Sequence, residues 1–212
     1  MIRNLKTLCL AVVAVLALTA VAASSASAAE FTSASGTYPV SLSASSTGDV
    51  FDAFGSSVQC TSNSFTGTVA TGPAKAATVV PSYNNCKAFG TFPATVTCNS
   101  CGFNFTPDGM VHVEGSFTID VYENATKHTE GKAMCQVHIA SQTPTGTVTY
   151  TNNADGTIQI SGAVSGVSAT QTRNSIFCPA GTSTSSANYT IQSGGIKVTG
   201  TTGGKANPIH VK

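Results

Sequence analysis

The spacing of turn signals, more than any single motif, limits what this chain can fold into. Beyond its first thirty residues, short runs rich in Val, Ile, Thr, Phe and Tyr are broken every 8 to 12 residues or so by Gly, Asn, Asp, Ser or Pro. No apolar stripe recurs at the 3.6-residue period of a helix. Parallel strands need long crossover connections, and these gaps are too short to hold them. The pattern therefore predicts an all-β, antiparallel β-sandwich, Ig-like or jelly-roll-like, with a β-barrel as the alternative.

Strands are expected over 37–42, 50–54, 64–70, 77–81, 94–97, 116–122, 134–140, 166–172, 187–192 and 195–199. Two hairpins are legible in detail. In the first, 102–105 and 110–113 flank Pro107-Asp108-Gly109; in the second, 148–150 and 157–160 flank a turn ending in Asp155-Gly156. Asp-Gly supplies the positive φ that tight hairpin turns require. No repeat and no Pro-rich or charged linker divides the chain, so residues 30–212 are expected to form one domain. The Ser/Ala/Thr-rich stretch 41–48 reads as a flexible loop, and 200–212 as a loosely held tail.

Residues 1–29 have a different grammar. Arg3 and Lys6 precede an almost wholly apolar run from Leu8 to Ala23, and Ala26-Ser27-Ala28 offers the small-x-small pattern of a leader cleavage site. The run is short for a membrane span, which takes roughly 20 apolar residues. A cleaved secretory signal peptide is the expectation, with a secreted, extracellular mature chain that has no membrane span. Cys9 follows the bulky Leu8, so it does not read as a lipid-attachment cysteine.

Removing 29 of the 212 residues leaves 183, enough for one hydrophobic core. It also changes two balances. The charge goes from ten Lys and Arg against nine Asp and Glu to eight against nine. The seven cysteines become an even set: Cys60, Cys86, Cys98, Cys101, Cys135 and Cys178. In an oxidising compartment such a set reads as three disulfides, although six cysteines allow 15 connectivities. With only 9% charged residues and no net positive charge, the chain carries no footprint for nucleic acid.

Little in the sequence signals catalysis. Cys98-Asn99-Ser100-Cys101 sits between strand-like runs instead of at a helix start, so it reads as a turn between structural cysteines and not as a redox pair. His112 and Glu114 alternate on one strand face, too few to hold a metal, and Gln136 and His138 read as the polar face of another strand. No nucleophile elbow and no obvious carboxylate pair are visible. Tyr83, Tyr122, Tyr150 and Tyr189 read as cross-strand packing residues. No cofactor and no metal are expected.

The cysteine contexts carry a resemblance. Cys60-Thr61-Ser62-Asn63-Ser64-Phe65-Thr66-Gly67, Pro81-Ser82-Tyr83-Asn84-Asn85-Cys86-Lys87-Ala88-Phe89-Gly90, Pro93-Ala94-Thr95-Val96, Cys101-Gly102-Phe103-Asn104-Phe105, Cys135-Gln136-Val137-His138-Ile139 and Phe177-Cys178-Pro179 follow one another in this order. Together they resemble a group of uncharacterised secreted β-rich proteins of high-GC soil bacteria. The resemblance implies export and an all-β, disulfide-containing body, and no activity. Members of the group carry a further cysteine after the strand matching 116–121, where this chain has none; it has Cys98 instead. A disulfide map therefore does not transfer. Pairing of sequence neighbours is our expectation: Cys60 with Cys86, Cys98 with Cys101, Cys135 with Cys178.

The functional expectation is a non-enzymatic structural or binding protein outside the cell, its partner a cell-envelope or extracellular polymer or protein. The alternatives are a glycan-binding module, or a secreted enzyme or inhibitor whose site gathers distant residues such as His112, His138 and Asp120.

Overall fold

A computed structural model describes residues 29–173, 178, 183–191 and 194–212. Apart from Ala29, the expected leader lies outside these residues. Five long strands dominate the fold: β4 (Ser56–Val69), β5 (Ala77–Ala88), β6 (Phe92–Phe105), β7 (Val111–Val121) and β10 (Ile158–Arg173). Shorter strands fill three further positions two at a time. β2 (Val40–Ser46) and β3 (Asp49–Ala53) pair with successive halves of β4. β8 (Cys135–Ile139) and β9 (Val148–Asn152) share one edge of β10, while β11 (Ser183–Thr190) and β12 (Ile196–Thr202) share the other.

These pairings close on themselves. The circuit β4–β5–β6–β7–β8–β10–β11–β3 returns to β4 through eight antiparallel strands. A second circuit runs through β9, β12 and β2 on the same five long strands, and closes through the bridge Met110–Thr147. The body is all-β, antiparallel and barrel-like, with two stacked tiers. Closure leaves few unpaired strand edges, the usual hazard of a β protein.

Long strands must bend to serve both tiers, and bulges do this in β5, β6 and β10. Register shifts fall between Asn99 and Gly102 in β6, between Val79 and Cys86 in β5, and between Val164 and Val167 in β10. A bulge bends its strand and raises the local twist, as closing a sheet demands. The one in β6 corrects the expected turn at Asn99-Ser100, because β6 runs unbroken through it. Ser100 takes φ +50° and faces Gly115 of β7 (φ +60°). A Cβ at Gly115 would lie 2.2 Å from the Ser100 carbonyl oxygen, so the two strands meet only because no side chain stands there.

Both legible hairpins form, β6–β7 around Asp108-Gly109 and β9–β10 around Asp155-Gly156. Stretch 41–48, read as a loop, is mostly β2. Val40 and Leu42 alternate into the interior while Ser41 and Ser43 face out, and the Ser43 and Thr199 hydroxyls bond across strands at 2.9 Å. The loosely held tail is also corrected. It completes β12, adds β13 (Lys205–Ala206) and ends in β14 (Ile209–Val211), which pairs with β1 (Phe31–Ser33). Ile209 and Asn207 are each 3% exposed. The Asn207 amide donates to Thr37 O and Thr202 Oγ1, and its oxygen accepts from Ser33 and Ser35. One short helix, α1 (Ala125–Thr129), was not anticipated; Asn124 caps it, and His128 packs on the Tyr122 ring.

The β1–β14 ribbon closes one pole of the barrel, with Phe31 edge-on to Tyr150. At the opposite pole stand α1, Cys178 and two hairpin tips, Phe54-Gly55 and Phe89-Gly90. Both phenylalanines have positive φ, +55° and +52°. Three disulfides join sequence neighbours: Cys60–Cys86 across β4 and β5, Cys98–Cys101 across the β6 bulge, and Cys135–Cys178 from β8 to the β10–β11 connection.

Candidate functional site

The strand alternation that builds the barrel also fills it. In β3, period-2 alternation sends Asp49, Phe51 and Ala53 to one side. That side is the interior, and Asp49 is 2% exposed. Gly48, at φ +76°, turns the chain from β2 into β3, and its N–H bonds to Cys60 O. This fixes the carboxyl group just inside the wall. The alternation of β4 changes phase between Cys60 and Asn63, so that Asn63 is also buried.

Around Asp49 lies a cavity of about 50 Å³, lined from all eight strands of the first circuit. Phe51, Phe103, Phe117, Ile119, Val164 and Val167 make most of its wall. Phe103 stacks on Phe117 at 5.3 Å and on Tyr189 at 5.9 Å, and Tyr189 meets Tyr83 nearly edge-on at 6.3 Å.

Within this apolar wall the polar groups are unevenly matched. Asp49 Oδ2 accepts from Ser46 Oγ, from Asn63 Nδ2 at 2.9 Å and from the Tyr189 hydroxyl at 2.8 Å. Asp49 Oδ1 and Asn63 Oδ1, both buried, have no hydrogen-bond partner. Burial pushes both tyrosine hydroxyls above their ordinary range, and the Asp49 charge adds to the effect. They therefore stay protonated, as neutral donors. A buried acceptor left unpaired costs roughly 1–3 kcal/mol, and a charged one more.

No family model, curated protein or solved structure matches this chain. The resemblance to secreted β-rich proteins thus rests on its cysteine contexts alone, and the site stands on its own geometry.

Of the residues named from sequence as a distant-residue site, Asp120 and His138 lie diagonally on one face of β7 and β8, but His112 does not join them. His112 and Asp120 lie eight residues apart on β7, roughly 25 Å along an extended strand. His112 bonds to Thr143 Oγ1 at 2.7 Å, and Asp120 accepts from Gln136. His138 stands exposed on β8. Among the described residues no group of three or more His, Cys, Asp or Glu side chains could hold a metal, and no helix is long and apolar enough to cross a membrane. All six candidate cysteines are in disulfides.

Two other hollows adjoin the far pole. One, of about 30 Å³, lies between Phe54, Phe89 and the buried Gln171, and shares Phe51 and Val58 with the main cavity. The other is an open polar cleft of about 430 Å³ on the outer wall beside Asp52, Ser56 and Asn188. Sequence reasoning missed Asp49 as a site residue. The signal was there, since alternation in Asp49-Val50-Phe51 places a carboxylate on the same face as a core phenylalanine.

Proposed function

We propose that the chain is an exported, non-enzymatic binding protein of the cell exterior, and that its ligand occupies the barrel interior. The observation that carries this reading is the apolar cavity of about 50 Å³ that all eight strands of the first circuit line, with the buried Asp49 at its edge. The leader-like sequence and three disulfides support export. The non-enzymatic reading is supported by the company Asp49 keeps. Beside its carboxylate, the titratable groups on the cavity wall are tyrosines, which stay protonated, and its cysteine is disulfide-bonded.

The test is occupancy. Mature protein recovered from culture medium is compared by native and denaturing mass spectrometry, and its crystals are pressurised with xenon, a probe of dry protein cavities. A non-covalent adduct lost on denaturation, or xenon seated among Phe103, Phe117 and Val167, supports the proposal. An adduct-free protein whose interior refuses xenon overturns it.

A further inference from the structure

We propose that the open cleft on the outer wall binds a neutral glycan, at a site separate from the barrel interior. The topology opens this cleft. β3 and β11 pair only at Asn188–Asp52, Tyr189–Phe51 and Thr190–Val50. Residues 183–187 of β11 stay paired with β10 but meet no described strand on the β3 side, because β3 turns away into β4 at Phe54-Gly55. The ladder thus parts into two walls with the cleft of about 430 Å³ between them. Ser186 and Asn188 line one wall, and residues 52–57 line the other. Its volume falls within the roughly 300–1,000 Å³ usual for small-molecule sites.

The chemistry of the two walls selects the ligand. Asp52 stands directly opposite Asn188 on one side and Ser57 on the other, so a carboxylate, an amide and a hydroxyl share one cross-strand row. Among the described residues, the side chains of Asp52, Ser57 and Asn188 have no hydrogen-bond partner in the protein. Neighbouring hydroxyls on a sugar ring can donate to Asp52 and accept from Asn188 and the serines. No Lys, Arg or His lines the cleft, and the Asp52 charge repels anions, so phosphorylated or uronic-acid chains are disfavoured. Phe54 supplies an apolar surface. Its ring lines both the cleft and the hollow behind it, and packs against the core. A sugar ring has C–H faces as well as hydroxyl edges, and such a face packs on an aromatic ring. Phe54 also holds φ +55° in a turn where Asn, Asp or Gly would rest more easily, so its ring is kept against local preference.

The test uses cellotriose, chitotriose and maltotriose, with trigalacturonate as the charged probe, on the mature disulfide-bonded protein. At least one neutral trimer should shift the Asn188 side-chain amide and the Ser56 and Ser57 backbone amides saturably in nitrogen-edited NMR, a wild-type measurement that needs no variant. Asp52→Asn, which keeps the shape and removes the charge, should weaken that trimer roughly tenfold or more. Phe54→Asn, which suits the positive φ and removes the ring, should do the same. Phe89→Asn is the control. It alters the same Ala-Phe-Gly tip one hairpin away, outside the cleft, and should keep binding. Retention on insoluble cellulose or chitin would place the glycan in a polymer surface, and binding of soluble trimers alone would place it in a free chain; both support the site. No shift with any neutral trimer overturns the proposal. So does equal binding of trigalacturonate, or undiminished binding by Asp52→Asn and Phe54→Asn. Xenon reports only on the interior, so this inference and the barrel reading stand or fall separately.

Discussion

Replacing Gly115 with alanine tests the fold at its tightest point. The expected cost has two parts. An alanine at φ +60° pays a backbone penalty of roughly 1–2 kcal/mol. The new Cβ also meets Ser100 O at 2.2 Å, Ser100 C at 2.6 Å and Asn99 O at 2.7 Å. All three are backbone atoms inside a bulge closed by Cys98–Cys101, so none can rotate away, and overpacking of this kind adds roughly 1–3 kcal/mol. Gly131 supplies the control. It has nearly the same φ, +66°, with nothing within 4 Å, so Gly131→Ala should cost the backbone part alone. Urea unfolding, compared at constant m, should therefore place Gly115→Ala below Gly131→Ala by roughly 1–3 kcal/mol. The gap should narrow when Cys98 and Cys101 are both serine, because the bulge can then yield. Equal losses at the two glycines would refute the close approach of β6 and β7.

Other outcomes follow from features already described. Removing the bridges one at a time should cost about 4 kcal/mol for Cys135–Cys178, about 3.5 for Cys60–Cys86 and about 2 for Cys98–Cys101, in the order of the loops they close, as chemical denaturation would report. The Lys197 ammonium, then the Thr157 hydroxyl and N–H, hold the Asp155 carboxyl down at about 2. A depressed folded value means that its contribution to stability is present above the ordinary carboxylate range and is lost as pH falls through about 2. Carboxyl-carbon NMR should show that midpoint, and Lys197→Ala should raise it. Asn207→Ala should cost roughly 1–3 kcal/mol and speed hydrogen exchange in β14, since one buried amide ties the ends of several segments together.

Alternation and turn chemistry made much of the fold readable before any coordinates. Asp-Gly marked two hairpins correctly because its φ preference is local. The same rule missed the other pole. Ala53-Phe54-Gly55 and Ala88-Phe89-Gly90 are hairpin tips in which a bulky ring takes the positive φ usually given to Asn, Asp or Gly, so they read as strand or as an unremarkable link. Their three-residue repetition was visible, but its meaning depends on β4 lying between β3 and β5. Bulges such as that at Ser100 leave no compositional trace, because they arise from two strands being unable to stay in register around a closed wall. For the same reason the depth of Asp49 could not be read. Alternation gives its side of β3, but only closure makes that side an enclosed interior.

The β1–β14 ribbon has a consequence for how the molecule could be mounted. Glu30 and Lys212 exchange both backbone hydrogen bonds, at 2.7 and 3.0 Å, so these two residues face each other at one end of the ribbon. A fusion at either end leaves from the same spot. A barrel tethered there would stand upright, with Phe54 and Phe89 presented at its outer tip. A permutant that joins 212 to 30 through a short turn and is reopened at the uncrowded Gly131 would be held to its support by the opposite end, with the two phenylalanines turned toward it.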